Sequence, residues 1–363
     1  MNPLKTCFLI PSVASGGIEM YLLRFLNYIE DTNNITVLVR SNEKGELYEE
    51  YKATGVNLKF LPLGYLSPKR IKDHYKYYKE QQFDVICDFN ANFAGIPMFL
   101  AKKLKIQKRV TFYRQGSDHF PPSFVKNNVN TLMNILVYNN STHILSNSKA
   151  ALDYFFPMRS KTDERFKVIY NGVKIEDYKF TESKESIRRE LGIPQDAFVI
   201  GHVGRLDKAK NHDTILKVFQ QVFKEKQDAY LLLCGRDTEK LITVIQELNI
   251  SERTLVLGYR KDIPRVLKSL DCFFFPSITE GQPNALIEAM VSGIPIVASD
   301  IPSIKECVSK EIIPDLKQPF DVNGFKNEVF AIVNQKPKSN EFVAKEKFND
   351  RKNFKLFNTL INE

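Results

Sequence analysis

Short apolar runs alternate with stretches of helical periodicity along the whole chain. "KTCFLIP", "NITVLVR", "NLKFLPL", "DVICDFN", "KRVTFY", "THILSNS" and "FKVIYNG" read as strands. Amphipathic helices lie between them, the clearest carrying Ile18, Tyr21, Leu22, Phe25, Leu26 and Ile29 as one apolar stripe. This alternation predicts a mostly parallel sheet covered on both faces. The charged stretch Thr181 to Ala197, "TESKESIRRELGIPQDA", contains Gly and Pro and reads as a link between two units. A second series follows, with strands at "FVIGHVG", "YLLLCG", "TLVLGY", "CFFFPS" and "IPIVAS", and with "NHDTILKVFQQVF" and "PNALIEAM" among its helices. The class is α/β, and the architecture occurs twice.

Size agrees with two units: 363 residues exceed the roughly 250–300 at which a single core stops growing. A hydrophobic content of 43% with 26% charged residues is ordinary for a globular chain and argues against disorder. The five cysteines are scattered, with no pair two residues apart and no histidine at ligand spacing beside them. They read as free buried thiols in a reducing compartment rather than a metal site. No run approaches the ~18 to 20 apolar residues of a membrane span, and "CFLIPSV" is too short for a signal-peptide core, so a cytoplasmic protein is expected.

The formal charge of +9 is uneven. Residues 1–170 hold 23 Lys+Arg against 15 Asp+Glu, net +8, leaving +1 for the rest. Pro68 to Phe83, with tyrosines between lysines, and Ala101 to Val110 are the basic stretches. Each reads as a surface for anionic lipid or nucleic acid, or as a plain solvated helix face. Lys69, Arg70, Lys72 and Lys76 are the candidate membrane contacts.

Ligands of open parallel sheets bind beyond the carboxyl ends of strands, so the loops after strands matter most. The first, "PSVASGGIEM", places Gly16 and Gly17 before a helix, where backbone N–H groups attract anions; taken alone, Gly-Gly is more often a plain turn. It lacks both the G-x-G-x-x-G spacing and a Walker lysine. In "GHVGRLDKAKNHDTILKVF", Arg205 and Lys210 can converge on a diphosphate or stand as a surface pair. In "EGQPNALIE", Glu280 falls in a loop and Glu288 in the second turn of the next helix, with Pro283 suited to its first turn. Gly281, Gln282 and Asn284 offer N–H groups near that helix start, and Glu280 can accept hydrogen bonds from sugar hydroxyls or simply favour the helix dipole.

"GRLDKAKNHDTILKVF", the stretch from "LGYRKDIPRVL" to "IPIVASD", "VIYNGV" and the early "GGIE" together resemble retaining glycosyltransferase family 4. The resemblance implies a GT-B fold: two facing Rossmann-like domains, over residues 1–178 and 179–340, and a final helical segment, 341–363, packing back on the first. By matching positions it implies that Arg205 and Lys210 bind the donor diphosphate, Glu280 the transferred sugar, Glu288 the nucleotide ribose, and Gly16 and Gly17 the diphosphate from the first domain. Gly281, Gln282 and Asn284 complete the expected donor site. Relatives often carry a histidine motif after the strand matching "KRVTFY"; this chain continues "RQGSDHF", which leaves Asp118 and His119 as acceptor-side candidates, His119 being the catalytic one.

The implied activity is metal-independent transfer, without a cofactor, from a nucleoside-diphosphate sugar, by family habit a UDP-sugar, to a saccharide or lipid-linked acceptor in bacterial surface polysaccharide assembly. An anionic membrane surface at the inner face of the cell membrane is a further expected partner. A sugar-nucleotide 2-epimerase of the same architecture is the alternative within enzymes, and a basic nucleic-acid binder the alternative outside them.

Overall fold

A computed structural model describes residues 4–63, 67–116, 124–335 and 338–363. The chain forms two compact units, Met1–Asn171 with Arg351–Glu363, and Gly172–Asp350. The first contains β1 (Thr6–Ile10), α1 (Gly17–Tyr28), β2 (Ile35–Val39), α2 (Tyr48–Ala53), β3 (Asn57–Phe60), α3 (Pro68–Gln81), β4 (Val85–Asp88), α4 (Gly95–Lys103), β5 (Lys108–Tyr113), α5 (Phe124–Asn140), β6 (His143–Ser146), α6 (Lys149–Phe155) and β7 (Phe166–Val168). Among the described residues its seven strands are all parallel, in the order β3-β2-β1-β4-β5-β6-β7.

Because side chains alternate along a strand, β1 feeds two cores. Phe8 and Ile10 join Tyr21, Phe25, Phe89 and Phe112 on one face, while Cys7 and Leu9 join Ile86, Met98 and Val137 on the other. The stripe of α1 lies on the first face, with Tyr21, Leu22, Phe25 and Leu26 buried and Ile18 and Ile29 at its margin. In α3 the tyrosines between the lysines turn inward: Tyr78 is buried, and Tyr75 and Tyr77 pack against the second core. They therefore hold the helix down rather than presenting aromatic rings outward.

The second unit contains α7 (Lys184–Glu190), β8 (Phe198–Val203), α8 (His212–Glu225), β9 (Ala229–Cys234), α9 (Ile242–Glu247), β10 (Thr254–Gly258), α10 (Ile263–Lys268), β11 (Cys272–Phe275), α11 (Asn284–Val291), β12 (Ile296–Ala298), α12 (Pro302–Lys305), α13 (Val322–Asn334) and α14 (Glu341–Lys347). Its five parallel strands run β10-β9-β8-β11-β12. The last helix, α15 (Asp350–Asn362), has most of its length in the first unit, where Phe354, Phe357 and Ile361 enter the core beside Phe8 and Phe25. The preceding α14 belongs to the second unit.

The charged stretch 181–197 is not a linker. It folds as α7 within the second unit, capped by Ser183, whose hydroxyl accepts from Ser186 N. Its charges are satisfied locally. The buried Arg188 donates to the carbonyls of Ser269, Gln195 and Ala197 and to Asp271, while Arg265 pairs with Glu182 and Glu190. Charge content alone does not distinguish such an anchored helix from a solvated connection.

Strand order puts a reversal point in each sheet. In the first unit it falls between β1 and β4, in the second between β8 and β11. At such a point two loops leave neighbouring strands in opposite directions and open a crevice.

Candidate functional site

At the β8/β11 reversal, the loop leaving β8 lies flat against the end of β9. Gly204 N–H donates to Cys234 O (2.8 Å) and Leu206 N–H to Arg236 O (2.8 Å). A Cβ on Gly235 would overlap the carbonyl of Gly204, so this approach requires glycine. Asp207 caps the short turn Lys208–Lys210 by accepting from Ala209 N (2.9 Å). Asn211 then adopts a left-handed conformation (φ 59°) and donates to Pro276 O (3.0 Å) and Pro319 O (2.6 Å). Ile278 N–H donates to Ala209 O (2.8 Å), which joins the loop after β8 to the loop after β11.

This joining brings Lys210 Nζ to 2.6 Å from Glu280 Oε1, with the two side chains only 20% and 11% exposed. The ammonium also sits 4.9 Å from the Phe275 ring centroid. The sequence assigned these residues separate tasks; the fold makes them partners across seventy positions. Arg205 stands apart: its side chain is 72% exposed and its guanidinium lies 3.4 Å from Asp207.

The helix after Glu280 starts at Asn284, so Pro283 stands at the capping position (φ −80°, ψ 78°) rather than inside the first turn. Asn284 and Glu288 are one turn apart on one face, both half-buried, while Leu286, Ile287 and Met290 enter the core. Gln282 is buried, and its carbonyl accepts from Asn284 N (3.0 Å).

Two histidines lie under this loop pair, and sequence reasoning passed over both. His202, on β8, bonds Phe274 O through Nδ1 (2.9 Å) and stacks beside Phe275 (5.7 Å). His212 opens α8 with its ring 5.0 Å from that of His202, and both of its nitrogens are buried without a partner. Burial, reinforced by Lys210, pushes the His212 imidazole down to about 4; burial and His212 depress His202 as well. Both are neutral at physiological pH, so the cationic charge in this loop pair comes from Arg205, Lys208 and Lys210. A histidine inside "GHVG" and another opening the next helix are the signals that could have found them.

In the first unit, Gly16 precedes α1 with its Cα against the Glu19 carboxylate, where a Cβ would collide. Gly17 faces open space, so packing within the chain does not demand a glycine there. Glu19 is buried, accepts from Ser12 Oγ (2.8 Å), and is raised above the usual carboxylate range by burial. Arg114, immediately after β5, is half-buried with its guanidinium over the Tyr21 ring (3.6 Å) and donates to Asn171; desolvation brings it down to about 10. Asp118 and His119 lie outside the described residues. Among the described residues, no group of His, Cys, Asp and Glu is placed to hold a metal ion, and the five cysteines are buried free thiols.

The family model for glycosyl transferases group 1 matches residues 183–351, and that for glycosyltransferase family 4 matches residues 15–177. The chain belongs to the family 4, group 1 glycosyltransferases. The two matches divide between the two units, and the two Rossmann-like parallel sheets are those of the GT-B fold. Over 183 residues the chain is 29% identical to the N-acetylgalactosamine-N,N'-diacetylbacillosaminyl-diphospho-undecaprenol 4-alpha-N-acetylgalactosaminyltransferase of Campylobacter jejuni, covering 49% of this chain and 47% of that one. The chain thus matches about half the length of that relative. It is 22% identical to the O-antigen biosynthesis glycosyltransferase WclY of Escherichia coli over 87% of this chain and 86% of that one. Anabaena HepE, crystallised with UDP, superposes with a TM-score of 0.82 at 21% identity, covering 98% of this chain and 99% of that one.

Proposed function

We propose that this family member is a retaining glycosyltransferase. It moves a sugar from a nucleoside-diphosphate sugar, a UDP-sugar in this reading, to a saccharide or lipid-linked saccharide acceptor at the inner face of a bacterial membrane, in surface polysaccharide assembly. The observation that carries the reading is the Lys210–Glu280 contact of 2.6 Å at the β8/β11 reversal. It holds an ammonium suited to a diphosphate and a carboxylate suited to sugar hydroxyls in one place, next to the start of α11. The UDP and UDP-glucose complexes of HepE support the donor class. The diphospho-undecaprenol in the name of the Campylobacter relative, and the O-antigen role in that of WclY, support the acceptor and the setting.

As the glycosidic C–O bond lengthens, negative charge collects on the departing phosphate, and groups that bind it more strongly in the transition state accelerate the step. Lys210 and Arg205 serve this purpose together with N–H groups near Gly281. Glu280 orients the sugar, and Glu288 takes the nucleotide ribose. The turn at Gly16 and Gly17 at the start of α1 is a further anion-binding candidate, within the first unit. Charge neutralisation by side chains makes a divalent ion unnecessary. Retention follows from same-face substitution, with the departing phosphate accepting the proton of the acceptor hydroxyl.

The test is product analysis by proton NMR with a panel of UDP-hexoses and a lipid-diphosphate acceptor analogue, with and without EDTA. An α-linked product from an α-donor, formed equally in EDTA, is expected. Inversion would overturn the stereochemical assignment, loss of turnover in EDTA the metal-free one. Formation of an isomeric sugar nucleotide without acceptor would make the protein an epimerase.

A further inference from the structure

The helix α5 lacks the charged outer face of an ordinary surface helix. From Asn127 to Asn140 it carries no charged residue at all. Met133, Val137 and Asn140 are buried, so the outward side falls to Val129, Leu132, Ile135 and Tyr138 between asparagines. Leu132 is 53% and Ile135 49% exposed, one turn apart at the middle of that side. The face continues onto α4: Lys102 Nζ donates to Asn139 O at the end of α5 (2.8 Å), and Phe99, one turn before Lys102, is 47% exposed.

Its border is cationic. Lys102, Lys103 and Lys105 are exposed, and Lys103 extends over Tyr75 of α3 (5.5 Å), whose outer side holds Lys69, Arg70, Lys72 and Lys76. Between Phe89 and Asn140 the sequence has seven Lys+Arg and one acidic residue, Asp118, which is +6 of the chain's +9. Among the described residues no helix is long and apolar enough to cross a membrane. Large apolar side chains at the centre of a face with lysines at its edge match the headgroup boundary of an anionic bilayer, which takes apolar groups shallowly and attracts Lys and Arg.

We propose that α4 and α5 dock the protein on an anionic lipid surface, with Leu132 and Ile135 entering the headgroup–acyl boundary and Lys102, Lys103 and Lys105 binding lipid phosphates. The lysines of α3 lie at the margin of this surface, not at its centre. The inference deepens the lipid-linked-acceptor reading, but vesicle binding is measured without donor or acceptor and so stands or falls apart from transfer.

The chain contains no tryptophan, so Leu132→Trp in the full chain is a background-free reporter. With phosphatidylcholine vesicles containing 30% phosphatidylglycerol, its emission should shift to the blue and be quenched by brominated acyl chains; with pure phosphatidylcholine neither change should be large. In flotation with the same vesicles, Leu132→Ser/Ile135→Ser should lower recovery at least ~10-fold. Lys103→Glu should lower it ~3-fold or more, and the four α3 cations changed to Gln should have less effect than the apolar pair. Circular dichroism checks that each variant is folded. Unchanged recovery of a folded apolar double variant, or an unshifted emission from the introduced indole with vesicles bound, would overturn the proposal. So would a dimer in gel filtration that the same double variant dissociates, since the face would then belong to a second copy of the chain.

Discussion

Arg205 and Lys210 share a loop but not an environment, and this separates the outcomes of replacing them. Lys210 holds the carboxylate of the mostly buried Glu280. Lys210→Ala should therefore lower turnover ~10- to 100-fold and also cost about 1–3 kcal/mol of stability, because a buried acceptor loses its donor. Arg205 is largely in solvent beside Asp207. Arg205→Ala should lower turnover to a similar extent while leaving stability within about 0.5 kcal/mol, a combination that steady-state kinetics and urea unfolding read directly. Full activity of both variants would remove the diphosphate assignment. The histidines give a pH signature. Burial holds His74, His143 and His212 at about 4 in the folded chain, against about 6.5 when unfolded. Between those values the unfolded chain takes up protons that the native state refuses, so the stability they allow is complete above about pH 6.5 and is lost as pH falls toward 4. Each contributes a slope of up to about 1.4 kcal/mol per pH unit. Urea midpoints between pH 7.5 and 5 should therefore fall less steeply for His212→Asn than for the parent, and equal slopes would contradict the burial argument.

Among the elements, α15 gives the plainest case of a helix held by packing rather than by propensity. Phe357 is fully buried, with ring centroids 4.8 Å from Phe25, 5.6 Å from Phe112 and 6.3 Å from Phe8. Lys108 Nζ adds a bond to Leu360 O (2.8 Å). Replacing Phe357 with Ala should cost about 3–5 kcal/mol, a large share of the margin of the first unit, and thermal unfolding by near-UV circular dichroism would register it. The family resemblance implied a helical segment over 341–363 packing on the first domain. Which sheet face it covers was not implied, because apolar spacing says that a helix buries one side but not against what. The same limit applied to the stretch 181–197, which reads as a link although its Arg188 pairs with Asp271 and its Glu182 and Glu190 pair with Arg265.

For the whole molecule, two units with separate cores and one ligand class give a binding prediction. A nucleoside diphosphate that binds only the folded second unit should raise its stability by RT ln(1 + [L]/Kd), about 2.7 kcal/mol at a hundredfold excess over Kd. A thermal-shift series with UDP, GDP and their sugars should rank UDP compounds first, and the shift should shrink in Lys210→Ala. A flat response to every nucleotide would remove the donor reading while leaving the lipid-docking face of α4 and α5 to its own test.

The sequence by itself determined the strands of both described sheets, the parallel α/β class, the buried thiols and the loops worth reading, because each depends on the local period of apolar side chains or on turn chemistry close by in the chain. Tertiary structure alone decided that β8 lies between β9 and β11, and so that Lys210 meets Glu280 over two buried imidazoles. It also decided that the tyrosines of α3 face inward while Leu132 and Ile135 face out. Those outcomes follow from burial shared among segments far apart in the chain, and a local pattern carries no record of which distant segment supplies the other side of the contact.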